Sequence, residues 1–429
     1  MEYIPRKLEP ILIDYLQDDL PRGVIIAGLI GVGKTTLITH ALQILSREFK
    51  TFNYTGDDIQ FRRSVAEDTR FLIKDIRSKT NERALIYVDE IQKTPEILDA
   101  LKLAHDEENM SFIVSGSEPG FLIREVNHRL QRRAMVFHLF PLSINEIYSN
   151  QNMCEEVPME SWNAILNGVA PDHLLDVKGD WQDIYEDFSR FRATGTIPLV
   201  YREKTLLRKR QALASIIERG YYPINNLTQE QFDIIQTELA RLNNREFAYQ
   251  TIFRKTRINR RDKINAAINY LMDQGMLTSK RRKLFHEARL SYHVIYSFVD
   301  AGLASYLQRG DKLAQPDNGY DLESLVFSQL RNLNNISKYP LNFSYFTPYY
   351  VTPSGQVKYK DGEIDFLMDT GSNIIPVEVK ATAEINRIDI SILKTFMKEQ
   401  NVPFGIVFYQ GAPWVDKTTQ LYYLPIALL

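Results

Sequence analysis

The sequence predicts a multidomain α/β protein, and three observations carry that prediction. A glycine-rich loop lies between an apolar strand-like run and an apolar helix-like run, within Gly23 to Leu45. A second apolar run, Ala84 to Val88, ends on two adjacent acids. Near the end of the chain, Ile364 to Val379 reads as a hairpin with acids set among apolar residues. The 429 residues are enough for roughly two to four domains. A single cysteine, Cys154, excludes an intramolecular disulfide and a cysteine-rich zinc site and fits a reducing compartment. MEYIPRKLEP has no signal core, and no apolar stretch approaches the roughly 18–20 residues of a membrane span. A cytoplasmic protein with no membrane partner is expected.

Each element of the first 150 residues has a chemical reason. Gly28-x4-Gly33-Lys34-Thr35 has P-loop spacing. Gly28, Gly31 and Gly33 let backbone N–H groups close around phosphate. Lys34 reaches the β and γ oxygens, the Thr35 hydroxyl binds Mg²⁺, and Thr36 continues the cradle into a helix whose dipole favours the anion. The run Ala84 to Val88 is apolar throughout, as a parallel strand buried on both faces should be. Asp89 at its end would hold Mg²⁺, and Glu90 would polarise the water that attacks the γ-phosphate of ATP. Ser111 to Ser115 forms a further strand, where Ser115 either senses the γ-phosphate or begins a plain turn. A strand near Thr51 to Tyr54 is one more than simple kinases have. Arg132 or Arg133 either stabilises charge on a neighbouring subunit's nucleotide, in a homo-oligomer, or belongs to a solvated basic turn.

The stretches YIPRKLEPIL, VDEIQKTPEIL, FIVSGSEPGFL, RLQRR and FPLSINEIY together resemble the prokaryotic AAA+ ATPases that join an N-terminal P-loop domain to a C-terminal domain of uncertain function. The resemblance implies an additional-strand P-loop core over residues 1–150. It makes Arg133 the match to the family's arginine, although Arg132 stands where the family has glycine. GTIPLVY, Gly195 to Tyr201, resembles the short turn that follows the ATPase core, so residues 151–226 are expected to form a helical lid or linker.

Residues 227–308 read as a winged helix. Thr228 to Gln231 is a capping box, Arg260 to Gln274 is a helix with Ile264, Ala267, Ile268 and Leu271 on one face, and Gly275 ends it before a basic hairpin. From Arg245 to Arg289 twelve Lys/Arg face four acids, a net of +8 in a chain of net −2. Arg257, Arg260, Arg261, Lys263, Lys280, Arg281, Arg282 and Lys283 are therefore candidates for DNA phosphate contact. A solvated basic face and a protein-binding winged helix are the other readings. The polar run Arg309 to Gly319 is the best linker candidate.

Residues 309–429 carry a second chemistry. Glu378 and Lys380 are two apart on one strand and so share a face. Asp365 on the partner strand can join them, and Glu323 on a preceding helix can supply another acid. Buried charges need partners or a metal. Asp365 and Glu378 suit Mg²⁺ as oxygen ligands, with the Val379 carbonyl, and Lys380 would orient or activate the attacking water. Asp-x12-Glu-x-Lys resembles the PD-(D/E)XK nuclease fold, above all its junction-resolving branch. The EIDF…VEVK signature also extends the AAA+ family resemblance over nearly the whole chain. The leading expectation is an ATP-dependent DNA-binding protein with a Mg²⁺-dependent nuclease site. The alternatives are an ATP-switched DNA-binding regulator with an inactive nuclease fold, and an ATP-controlled protein scaffold.

Overall fold

The structure, a computed structural model, describes residues 3–219, 227–256, 258–285, 289–309, 319–354, 356–385 and 389–429. Arg257 and most of the linker candidate lie outside the described residues. Five strands form one all-parallel sheet: β1 (Gly23–Ala27), β2 (Lys50–Thr55), β3 (Ala84–Asp89), β4 (Ser111–Gly116) and β5 (Ala134–His138), in the order β2-β3-β4-β1-β5. The strands with the longest apolar runs, β1, β3 and β4, lie at its centre and are buried almost end to end. The extra strand β2 is the edge, and none of its residues is buried. Because β4 separates β1 from β3, the loop after β1 and the acids of β3 meet across an intervening strand. All five strands point the same way, so Gly28, Asp89 and Ser115 arrive at one end of the sheet.

Eleven further strands follow among the described residues: β6 (Arg245–Glu246), β7 (Leu277–Leu284), β8 (Arg289–Phe298), β9 (Asn342–Phe346), β10 (Tyr349–Val351), β11 (Val357–Tyr359), β12 (Ile364–Asp369), β13 (Ile374–Val379), β14 (Gly405–Tyr409), β15 (Trp414–Asp416) and β16 (Leu421–Pro425). β10 and β11 pair only with each other, as a ribbon. The other nine make a mixed sheet in the order β15-β16-β14-β13-β12-β9-β7-β8-β6.

Both helices expected in the middle region are present, Gln229–Arg241 and Arg261–Asp273, and a third that was not expected, Tyr249–Thr256, lies between them. Thr228 and Gln231 make the capping box in both directions, and Gly275 takes a left-handed φ of +70° to stop the last helix. The hairpin β7–β8 departs from expectation. A wing projects into solvent, but β7 pairs in parallel with β9, Arg281 opposite Ser344 and Arg282 opposite Tyr345. Lys280, Arg282 and Leu284 consequently point inward while Arg281 stays exposed.

The hydrophobic cores also cross the expected boundaries. One core joins the ATPase region to the middle helices, from Leu8 and Val24 through Leu213 to Leu271 and Leu303. Another joins Leu142 to Phe191, the end of the expected ATPase domain and the first half of the expected lid, to the helix Gly319–Ile336 and strands β12 to β16.

Candidate functional sites

The loop Gly28 to Thr36 is shaped by close approach. A Cβ on Gly28 would lie 2.5 Å from the Leu139 carbonyl oxygen, and Gly31 and Gly33 have φ of +82° and +91°. Lys34 is buried, and its Nζ donates to the carbonyls of Gly28 (2.8 Å) and Leu29 (3.1 Å). Burial pushes its pKa down to about 8, against the pull of Glu90 and Asp89. Such an ammonium is poised for an anion that restores the full charge. Thr35 Oγ1 donates to Asp89 Oδ2 at 3.1 Å, which brings together the two groups expected at Mg²⁺.

Glu90 sits in left-handed backbone, φ +52°, and its carboxylate accepts from Gln92 Nε2 and, at 3.3 Å, from Ser117 Oγ. A cleft of about 610 Å³ opens over the loop, lined by Gly31 to Thr36, Glu90 and Ser117, and by Tyr3, Tyr201 and Arg202 from outside the sheet. Ser115, one candidate γ-phosphate sensor, is fully buried and donates to Asp89 instead. Ser117, two residues on, is the serine that reaches the cleft. Arg133 is not in the cleft lining; its guanidinium is bound to Asp106 at 2.7 and 2.9 Å.

The loop is braced from behind. Leu199 N–H donates to the Gly31 carbonyl at 3.1 Å. The segment holding Leu199 is fixed by Thr196 N–H donating to Asp300 Oδ2 at 2.7 Å. Asp300 Oδ1 caps the following helix by accepting from Gly302 N–H (2.9 Å) and Leu303 N–H (3.3 Å). Asp300 is 1% exposed, and burial pushes its pKa up to about 6.

The second site forms where β12 and β13 meet the helix Gly319–Ile336. Phe366 lies opposite Val377, a register that sets Asp365 opposite Glu378. Val379 N–H donates to Asp365 Oδ2 at 2.7 Å, and Lys380 Nζ donates to Glu378 Oε1 at 2.5 Å. Glu323 comes in from the helix and accepts from Asn244 Nδ2. The four residues expected here are thus brought together. Two more join them: Glu363, one alternation before Asp365, and Lys280 of β7. Lys280 is 2% exposed, its Nζ donates to the Asp365 carbonyl at 2.8 Å, and it lies 3.9 Å from the centroid of the Phe366 ring.

The electrostatics are those of an acid excess. Burial, and then the Asp365 charge, raise Glu323 well above an ordinary glutamate. The same two causes push Glu378 up to about 8, with Lys380 pulling it back. Burial raises Asp365 and Glu363, with Lys280 acting the other way on both. Burial opposes the charge on Lys380, but Glu378 outweighs it and the net shift is upward. If all four carboxyl groups were ionised, the acids would exceed the two ammonium groups by two charges, which one divalent cation would balance; without it, burial and mutual repulsion favour their protonated forms. Asp365 and Glu378 are oxygen donors facing each other, which fits Mg²⁺. Among the described residues no three His, Cys, Asp or Glu are grouped as a ready-made cage, so any cation held here would rest on those two with backbone oxygen or water.

The expected basic face is divided: Lys280 and Arg282 of the hairpin turn inward, while Arg260 and Arg261 stay exposed at the start of their helix. Lys280 is buried, and Arg282, 6% exposed, pairs with Glu246. Lys283 pairs with Asp369 at 3.1 Å, Arg260 with Asp262 at 2.6 Å, and Lys263 donates to Gln231 at 3.0 Å. Arg261 lies over the Tyr249 ring. Among the described side chains of the hairpin, Arg281 is an exposed cation. Glu363 was within reach of sequence reasoning through its i, i+2 spacing from Asp365. Lys280, Asn244, Tyr201 and Arg202 carried no such signal.

No described helix is long and apolar enough to cross a membrane. Comparison with curated proteins gives no match. Several solved structures resemble the chain weakly. Orc1 of Aeropyrum pernix in complex with DNA is 13% identical, over 76% of this chain and 93% of that one, with a TM-score of 0.29. AMPPCP-bound DnaA of Aquifex aeolicus is 16% identical over 63% and 90%, with a TM-score of 0.27. Cdc6p of Pyrobaculum aerophilum is 12% identical over 76% and 96%, with a TM-score of 0.27. Scores this low carry no argument. Residues 318–429 match a family model described as a domain of unknown function, DUF4143. Residues 21–148 match the family model described as an AAA domain, and that match, the five-stranded parallel sheet and the Gly28–Thr36 loop agree on an AAA-type ATPase domain in the first third of the chain.

Proposed function

We propose that the chain binds and hydrolyses ATP at Lys34, and that its second site hydrolyses phosphodiester bonds of DNA. For ATP the support is the AAA match and the convergence of Lys34, Thr35, Asp89 and Glu90 at one sheet end. Lys34 would hold the β and γ oxygens, Thr35 and Asp89 would hold Mg²⁺, and Glu90 would orient the attacking water.

For the second site the observation that carries the reading is the meeting of Glu323, Asp365, Glu378 and Lys380 from three separate elements. Asp365 and Glu378 would hold Mg²⁺, whose chemistry here is to polarise a phosphate oxygen. Lys380, tied to Glu378, orients the attacking water. Glu323 and Glu363, raised toward neutrality, are placed to take or hold a proton nearby. The test is incubation with Mg²⁺ or Mn²⁺ and branched, linear or single-stranded DNA, with and without ATP. Cleavage that disappears in both Lys380→Ala and Asp365→Asn is expected.

A second reading is favoured by Lys280. Its ammonium already sits among the acids, and no three-acid cage is formed. Here the site is a structural ion cluster, and the protein is an ATP-switched DNA-binding regulator. Absence of cleavage on every substrate, with DNA binding intact, would select it.

A further inference from the structure

We propose that the ribbon β10–β11 is the nucleic-acid contact of this protein, and that its occupant is a single strand passing toward the carboxylate site. This rests on the phosphodiesterase reading above and gives it a substrate class. The expected contact surface joined the start of the helix Arg261–Asp273 to the β7–β8 hairpin; of the hairpin's cations, Lys280, Arg282 and Lys283 are spent inside the protein, and in the helix part Arg260 is paired with Asp262.

The ribbon has what that hairpin lacks. It pairs only with itself, and from Tyr349 to Lys360 it contains no acid. Tyr350 and Val351 are 48% and 45% exposed, and Tyr359 is 37% exposed. Lys358 and Lys360 stand exposed among them, with Arg281 exposed on β7. Exposed aromatics interleaved with cations suit an unpaired strand: rings stack on bases, ammonium groups take phosphates, and every base offers a face. The ribbon is anchored. Tyr349 Oη accepts from Phe285 N–H at 2.9 Å, and Arg282 lies 4.0 Å from the Tyr359 ring centroid. At its base is a cleft of about 400 Å³, lined by Phe285, Phe346, Tyr349 and Phe396, with Lys360 beside the acids Asp361 and Glu399. Glu363 and Asp365 follow β11 within six residues, so the ribbon and the acids are neighbours along the chain.

Binding of the full chain to a fluorescein-labelled oligonucleotide, single-stranded and as the same-sequence duplex, is measured by anisotropy in excess EDTA. Metal-dependent cleavage therefore plays no part. Tyr350→Ala is expected to weaken single-strand binding roughly 5- to 150-fold, as the loss of one stacked base implies. Tyr350→Phe keeps the ring and should bind as the parent does. Lys358→Ala with Lys360→Ala should reduce the salt slope by about one to two phosphates. Parent-like binding by Tyr350→Ala overturns the proposal. So does a parent protein that prefers duplex or binds no oligonucleotide, the last leaving the ribbon to a protein partner. The two readings fail separately. Tyr350-dependent binding without cleavage in Mg²⁺ or Mn²⁺ keeps the ribbon and removes the nuclease. Cleavage of single strands by Tyr350→Ala with an unchanged KM does the reverse.

Discussion

Of the three lysines buried among the described residues, Lys34 and Lys280 are buried for opposite reasons. Lys34 is surrounded by carbonyls and set for an incoming anion, whereas Lys280 is surrounded by acids already in place. The residue-scale predictions follow from such placements. Glu90→Gln keeps the shape of a side chain held by Gln92 and Ser117 but removes its basicity. ATP turnover should fall by about 10²- to 10⁴-fold while nucleotide affinity changes little, read by phosphate release and equilibrium binding. Turnover that survives would remove Glu90 from its role. Asp300 gives a pH signature. Its folded pKa, about 6, is raised above the ordinary carboxylate value by burial. Its stabilising contribution is therefore full below about pH 4 and is lost as pH rises through about 6, on the order of 3 kcal/mol in all. The stability gap between parent and Asp300→Asn should accordingly be wider at pH 4.5 than at pH 7 in denaturant melts.

At the scale of elements, β7 decides how the middle and the end of the chain meet. Its Thr278 to Leu284 stretch alternates, but the alternation sets Lys280 and Arg282 on the inner face, where a sequence reader expects apolar residues. Their partners, Glu246, Glu323, Glu363 and Asp365, are scattered along the chain, so the run reads as a solvent-facing wing. Local signals were legible: the P-loop spacing, the Thr228 capping box, the Gly275 stop and the Asp365–Glu378 hairpin all come from contacts within a few residues or one turn. The parallel pairing of β7 with β9 is long-range and leaves no local trace. Lys280→Met tests it by keeping the length and removing the charge. It should destabilise the chain by about 3–5 kcal/mol, because it strands buried carboxylates. Added Mn²⁺ should recover part of the loss in a thermal melt. An unchanged melting temperature would mean that Lys280 is not holding the acids together.

For the whole molecule, the order of motifs along the sequence suggested separable modules, and the cores do not divide that way. Strands β12 to β16 share one core with Leu142 to Phe191, and β9 takes a hydrogen-bonding partner from the middle region. A fragment of residues 309–429 leaves that core half open and one edge of β9 unpaired. It should fail to fold cooperatively, seen as a broad thermal transition and rapid proteolysis. A sharp transition would show that the C-terminal strands suffice. The AAA-type sheet was more legible, because the long apolar runs of its central strands announce burial on both faces wherever they occur.

The brace behind the P-loop has a thermodynamic consequence. Asp300 follows the end of β8, and β8 is paired to the strand that carries Lys280 into the acid cluster. The same Asp300 fixes Thr196, and through Leu199 the carbonyl of Gly31. A displacement of that strand that favours ATP at one end and a divalent cation at the other must obey reciprocity: each ligand alters the affinity of its counterpart by an equal factor. Titrating Mn²⁺ against parent protein with and without saturating non-hydrolysable ATP analogue, with Asp365→Asn as the control for metal bound alongside the nucleotide, measures that factor. A value of one would make the two ends of the strand independent neighbours.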